Sequence, residues 1–121
     1  MAKYVKTRWG RDKVILDMQK EGYKIKLLEI GSGHHISTQY HNCRQEHWSI
    51  IQGTGELMVD NTLMFIEPGD NIHIPQGATH KVTNIGECAL KIIETQIGLR
   101  CEESDIVRLE EIKNYKPIDI L

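Results

Sequence analysis

The sequence predicts an all-β chain, folded as an antiparallel barrel or a two-sheet sandwich. Three observations lead there. Roughly eight to ten short apolar runs are separated by glycine turns, at the spacing such folds use. Residues 22–30 (GYKIKLLEI) alternate polar and apolar side chains for most of their length, the period of a strand. A helix-like pattern enters only after residue 102, in EESDIVRLEEIKNY.

Taken in order, residues 4–5 and 13–16 are short extended segments around Arg8-Trp9-Gly10-Arg11. Two roles are open to Trp9. Its ring can cap one end of a barrel, or it can line a pocket rim beside Arg8, whose guanidinium suits an anionic group. In 22–30, Lys24 and Lys26 share one face, expected to meet solvent unless one of them lines a phosphate pocket, and Ile25 and Leu27 share the other. Gly31-Ser32-Gly33 turns the chain and His34 and His35 follow. Residues 36–41 form a strand, 42–45 (NCRQ) a link, and 46–52 the next strand, with Glu46, Trp48 and Ile50 on one face and His47 on the other. Gly53-Thr54-Gly55 is a turn. Residues 56–59 and 62–66 flank Asp60-Asn61, a pair that tolerates positive φ and favours a tight hairpin. After the turn at Glu67-Pro68-Gly69-Asp70, strands are expected at 71–74, 79–84 and 88–96, with Gly86 between the last two. Ser104 or Asp105 can cap a short helix, whereas Ile106 and Val107 also permit an extended start. Helix is otherwise not expected.

Composition narrows the classes of function. A chain of 121 residues suits one domain, 1–121, with its own core. Lys+Arg of 15 against Asp+Glu of 17, net charge -2, offers no basic surface for nucleic acid. No apolar run approaches the ~18 residues of a membrane span. The start, MAKYVKTRWG, lacks the apolar segment of a signal peptide, so a cytoplasmic location is expected. Cys43, Cys88 and Cys101 are odd in number with no close pair, which fits a reducing compartment rather than a disulfide framework. The apolar residues of 4–16 and 115–121 lie outside the central strands and suggest cover for open sheet edges in a homodimer.

The chemistry concentrates in two stretches. In GHHISTQYHNCRQEHWSIIQG (33–53), Gln39 and His41 share a strand face, and a returning strand brings the Glu46 carboxylate beside it. An amide oxygen, an imidazole and a carboxylate make a mixed site for a divalent metal. In GDNIHIPQGATHKVTN (69–84), His80 follows the turn at Pro75 and Gly77. Cys43 lies two residues past His41, but the spacing fills the site without it.

The order Gly33, Gln39, His41, Glu46, Gly53 and then Gly69, Pro75, Gly77, His80, Asn84 resembles both motifs of the cupin superfamily, with Gln39 where the first histidine usually stands. Arg8-Trp9-Gly10, Gly22-Tyr23-Lys24-Ile25-Lys26, Gln39-Tyr40-His41 with Arg44 and Glu46-His47-Trp48, Ile74-Pro75, the run Ile92 to Gln96, and Asp105-Ile106-Val107-Arg108 narrow it. They resemble the C-terminal cupin domain of bifunctional mannose-1-phosphate guanylyltransferase/mannose-6-phosphate isomerases, the type II isomerases. Departures from that pattern include Cys43 where a histidine often stands, His73 in place of a tyrosine, and no Tyr-Gly-Arg after Asn114.

The resemblance implies a cupin-type double-stranded β-helix, a jelly-roll barrel with a short C-terminal helix or extended tail. It also implies a metal-dependent isomerase interconverting mannose 6-phosphate and fructose 6-phosphate, or a close analogue. The ligands carried over are Gln39, His41, Glu46 and His80, holding one ion of zinc, manganese, iron or nickel. Such a reaction needs a base, for which His73, Lys24 and Glu94 are candidates. It also needs a phosphate clamp, for which Arg8, Lys24 and Arg44 are candidates. Two other classes compete: a non-catalytic metal module binding a sugar or small carboxylate, and a metal-dependent dioxygenase.

Overall fold

The computed structural model describes residues 3–98 and 106–109. Among them are eleven strands: β1 (Val5–Lys6), β2 (Gly10–Met18), β3 (Tyr23–Ile30), β4 (His35–His41), β5 (Gln45–Gln52), β6 (Gly55–Val59), β7 (Thr62–Ile66), β8 (Asn71–Ile74), β9 (His80–Asn84), β10 (Leu90–Ile97) and β11 (Ile106–Arg108). They form a six-stranded sheet, β1-β2-β3-β10-β5-β8, and a five-stranded sheet, β11-β4-β9-β6-β7. Every pairing is antiparallel. The result is the expected jelly roll.

The alternation of each strand decides what faces the interior. Leu28, Ile30, Ile50, Leu57, Ile66, Val82, Leu90 and Ile92 pack there as one buried apolar cluster. Register aligns them in rows: Ile92 of β10 lies between Leu28 of β3 and Ile50 of β5. The β6–β7 hairpin turns through Asp60-Asn61, with Val59 opposite Thr62. Asp60 takes the positive φ the turn asks for, 51°.

Two expectations are corrected, and a third element takes one of the two forms left open for it. The Lys24 and Lys26 face points inward, and both lysines are buried; Ile25 and Leu27 lie on the outer, half-buried side. The helical turn found among the described residues is a 3-10 turn at Gln19–Glu21, between β2 and β3, not in the tail. Residues 106–108 take the extended alternative, pairing with β4 as Ile106↔His41, Val107↔Tyr40 and Arg108↔Gln39. The possible helix beyond them, the caps Ser104 and Asp105, and residues 115–121 lie outside the described residues.

Two local irregularities shape the site. A bulge in β4 between Ile36 and Gln39, opposite β9, lets both Ile36 and Ser37 be buried and still leaves Gln39 and His41 facing inward. Gly10 brings the start of β2 so close to β3 that a Cβ there would overlap the Glu29 carbonyl. That close approach seats Trp9, which packs on the core.

Candidate metal centre

Both sheets contribute to one polar end of the barrel. From the five-stranded sheet, β4 supplies Gln39 and His41 and β9 supplies His80; Gln39 and His80 face each other in register. From the six-stranded sheet, β5 supplies Glu46. The ligand atoms of His41, Glu46 and His80 all lie within 4.8 Å of one another, and all three residues are buried. His41 Nε2 is 2.9 Å from Glu46 Oε2. The two imidazole rings tilt at 42° with centroids 5.2 Å apart.

The His80 imidazole bears a mark of a ligand. His80 Nδ1 lies 3.1 Å from the Ala78 carbonyl. A carbonyl only accepts, so Nδ1 donates and Nε2 carries the lone pair. That buried Nε2 has no hydrogen-bond partner among the described residues, nor has His41 Nδ1. A backbone carbonyl that fixes the tautomer in this way is the usual support of a metal-bound histidine. Burial holds the His80 pKa below its ordinary value, against the opposing charge of Glu46, and so favours the neutral form that ligates. Burial works against the charged form of Glu46. The hydrogen bond and charge of His41, with the charges of His80 and Arg44, outweigh it and hold that carboxyl well below the carboxylate range. The trio fits a divalent ion in atom type and spacing. Gln39 is buried on β4 in register with His80, which adds an amide to the same end.

Glu46 is also tightly held by the protein itself. Trp48 Nε1 donates to Oε1 at 2.9 Å. Arg44 Nε donates to Oε2 at 3.1 Å.

A cavity of about 490 Å³ opens against this end. Gln39 and Arg44 reach it from the metal side, and Glu94 and Gln96 from β10. Arg8 and Trp9 line it from the β1–β2 link, Arg108 from β11, and Asp12 and Lys26 from neighbouring strands, where Lys26 Nζ is 3.5 Å from Asp12 Oδ2. Gln96 Nε2 donates to Glu94 Oε1 at 2.6 Å. Burial raises the Glu94 pKa to about 8, helped by the nearby Glu46 charge and opposed by Lys26.

The candidates of the sequence therefore divide. Gln39, His41, Glu46 and His80 converge. Of the three candidate bases, Glu94 lines the cavity, and Lys24 is buried on the inner face opposite Gln96 but is not part of the wall. His73 is corrected out of the site. Ile72 and Ile74 point inward, so His73 points outward, where its ring stacks on His47 at 4.7 Å and its Nε2 lies 2.7 Å from Gln45 Oε1. Of the candidate clamp, Arg8 and Arg44 line the cavity, whereas Lys26 rather than Lys24 does so. Arg108, Asp12 and Gln96 were not singled out as site residues. Lys26 carried a signal in its shared face with Lys24. Arg108 carried only its place in the Asp-Ile-Val-Arg run.

Residues 1–111 match a protein family described as mannose-6-phosphate isomerase C-terminal. The chain is 35% identical over 91 residues to the mannose-1-phosphate guanylyltransferase ManC of Salmonella typhimurium, covering 75% of this chain and 19% of that protein. It is 30% identical over 110 residues to the mannose-1-phosphate guanylyltransferase of Sinorhizobium fredii, covering 90% of this chain and 21% of the other. The xanthan biosynthesis protein XanB of Xanthomonas campestris is 34% identical over 89 residues, 74% of this chain and 19% of its own length. The chain thus spans about a fifth of the length of these relatives. Among solved structures, oxalate decarboxylase of Bacillus subtilis superposes with a TM-score of 0.79 at 13% identity, over 91% of this chain and 30% of that one. The Cnp3 cupin domain of Schizosaccharomyces pombe gives 0.70 at 18%, over 79% and 68%. At such identities these two show the fold, a cupin barrel.

Proposed function

The chain belongs to the mannose-6-phosphate isomerase C-terminal family, and from that premise we propose that it interconverts mannose 6-phosphate and fructose 6-phosphate, or a close analogue, beside a divalent ion held by His41, Glu46, His80 and Gln39. The observation that supports this reading is that Arg44, bonded to Glu46 of the buried trio, and Gln39, in register with His80, line a cavity whose wall holds the cations Arg8, Lys26 and Arg108 and the buried carboxyl of Glu94, although the trio itself is not in that wall. Zinc, manganese, iron and nickel all suit the nitrogen and oxygen donors. When bound, such an ion supplies Lewis-acid stabilisation of developing enediolate charge.

The remaining steps fall to the chain's own side chains. Arg8 and Arg108 take the phosphate end through charge-assisted hydrogen bonds, at the rim where Trp9 also stands. That anchor points C1 and C2 inward and shortens the search for a reactive geometry. Glu94 removes the proton from C2 of the aldose and returns it at C1, while a proton passes from the O2 hydroxyl to O1. A carboxyl with a pKa near 8 is a stronger base, once ionised, than an ordinary glutamate. Leu28 and Ile36 in the cavity wall limit water around the intermediate.

The proposed assembly is a homodimer in the cytoplasm, with residues 1–121 as one cupin domain. Val5, Ile15 and Leu16 are exposed on β1 and β2, at one edge of the six-stranded sheet, and suit a symmetric contact. No helix among the described residues is long and apolar enough to cross a membrane. Light scattering at micromolar concentration tests the dimer, and a monomer mass contradicts it.

The function is tested by isomerase assay of protein loaded separately with zinc, manganese, iron and nickel, followed by deuterium incorporation at C2 of mannose 6-phosphate in heavy water. Turnover with exchange is the expected result. Neither turnover nor exchange with any of the four metals ends the isomerase reading.

A further inference from the structure

Arg44 occupies an unexpected position. It closes the short link into β5, and its side chain is only 3% exposed. A guanidinium keeps its charge in any protein environment, so a buried one must be compensated. Its Nε donates to Glu46 Oε2 at 3.1 Å. Its Nη2 lies 3.4 Å from His41 Nε2. The same two atoms, Glu46 Oε2 and His41 Nε2, are 2.9 Å apart. Arg44 therefore engages two of the three residues that would hold the ion, on the atoms they turn toward each other.

A guanidinium only donates. His41 Nε2 thus stands between a cationic donor and an anionic acceptor, and can serve one of them at a time. A divalent ion that takes the Glu46 carboxylate as ligand meets the Arg44 charge in the same buried space. Two cations at such separation repel strongly where solvent screening is weak.

We propose that Arg44 is the resident counter-cation of the metal-free centre: it holds Glu46 and His41 in place until metal arrives, and its guanidinium must leave Glu46 for the ion to bind. This rests on the metal reading above. The intrinsic affinity of the site for metal is then masked by its own arginine. The metal-free barrel in turn is spared a buried carboxylate with too few positive partners. Arg44 also lines the cavity, so a guanidinium released from Glu46 has open volume beside it.

Competition for zinc against a chromophoric chelator tests the proposal in the wild type, Arg44→Gln and Arg44→Lys. R44Q is expected to bind zinc at least about tenfold more tightly than wild type, because one like charge is removed. R44K, which keeps the charge, is expected to stay close to wild type. Metal-free R44Q is expected to melt below the wild type, with the gap narrowing once zinc is added. Equal or weaker zinc binding by R44Q overturns the proposal and makes Arg44 a support for the bound ligands. A second measurement covers the case where metal-free R44Q does not fold. In wild-type protein, the Nε–H resonance of Arg44 is expected to be protected without metal and to shift and lose protection at one equivalent of zinc. A resonance unchanged through saturation also overturns the proposal. Equal zinc affinity in all three proteins removes only the role of Arg44, whereas no zinc binding by any of them removes the metal centre and this inference with it.

Discussion

The two ends of one barrel interior are built from the same strands and filled with opposite chemistry. Along β10, Leu90 and Ile92 give way to Glu94 and Gln96; along β3, Ile30 and Leu28 give way to Lys26 and Lys24; along β5, Ile50 and Trp48 give way to Glu46. Register keeps the change in step. The row Leu28–Ile92–Ile50 is followed by Lys26–Glu94–Trp48 and then by Lys24–Gln96–Glu46. Both ends are buried. The apolar end follows from the hydrophobic effect alone. The polar end does not, since burying ionisable groups costs stability unless each is paired, and a well-packed apolar filling is often as stable or better. Lys26, Glu94 and Gln96 of this end line the cavity, whereas Lys24 and Glu46 do not; burial this costly is what a binding site requires.

The largest expected effect would come from breaking the apolar end. Ile92→Ala, at a position with no solvent exposure, should cost roughly 2–5 kcal/mol of stability by chemical denaturation. The folded fraction should still bind metal. A variant equally stable but unable to bind would reverse the division of labour between the two ends.

Next in size is His80→Ala at the polar end. Losing a supporting hydrogen bond to a ligand typically costs 10–100-fold in metal affinity, so losing the ligand itself should weaken zinc binding by more than about 100-fold. Melting of the metal-free protein should move far less than for Ile92→Ala. Chelator competition and differential scanning calorimetry read the two quantities.

The polar end should also leave a pH signature in protein kept metal-free with chelator. Glu94 is raised to about 8 in the fold against 4.5 as the reference value. The unfolded chain therefore gives up this proton first. The stability Glu94 contributes is full below about pH 4.5 and drains away as pH climbs toward 8. Glu46 has the opposite sign: its pKa is lowered, so its contribution is present above about 4.5 and is lost as pH falls below that. The melting temperature should peak at weakly acidic pH. Glu94→Gln should flatten the alkaline decline and leave the acid one, and an alkaline decline of unchanged slope would contradict the assignment.

The smallest expected effect lies at the rim. Arg8 is exposed, so Arg8→Ala should leave melting unchanged while weakening mannose 6-phosphate binding by about tenfold or less. Calorimetry with unphosphorylated mannose is the control. An equal loss for both sugars would place Arg8 outside any phosphate contact.

What could be read from the sequence follows the same physical division. Gln39 and His41 were legible because a strand turns a separation of two into a shared face, but Glu46 does not arrive on a strand paired with β4: it faces them across the interior from β5 in the other sheet. The Asp60-Asn61 hairpin was legible for a similar local reason. Alternation in 22–30 established the strand but not its polarity, because a period of two does not say which face is inside. Lysines normally seek water, and only the pairing of β3 with β10 opposite Glu94 and Gln96 shows these two turned inward. Arg44 sits in the link that carries the chain from β4 in one sheet to β5 in the other, so its direction depends on how the two sheets face each other. Arg108 reaches the cavity through a pairing of β11 with β4 far away in sequence, which no local pattern announces. His73 was misplaced for the converse reason: its neighbours Ile72 and Ile74 already claimed the inward face.

The central claim is that the polar end is a metal centre made by His41, Glu46 and His80. Its most direct measurement is the metal-to-chain ratio, by plasma mass spectrometry, of wild type and His41→Ala/His80→Ala purified from unsupplemented medium without chelator. The account predicts close to one divalent ion per wild-type chain and a vanishing ratio in the double variant, with both proteins folded. A metal-free wild type that also fails to take up added zinc, manganese, iron or nickel, or a double variant that retains its ion, would contradict it.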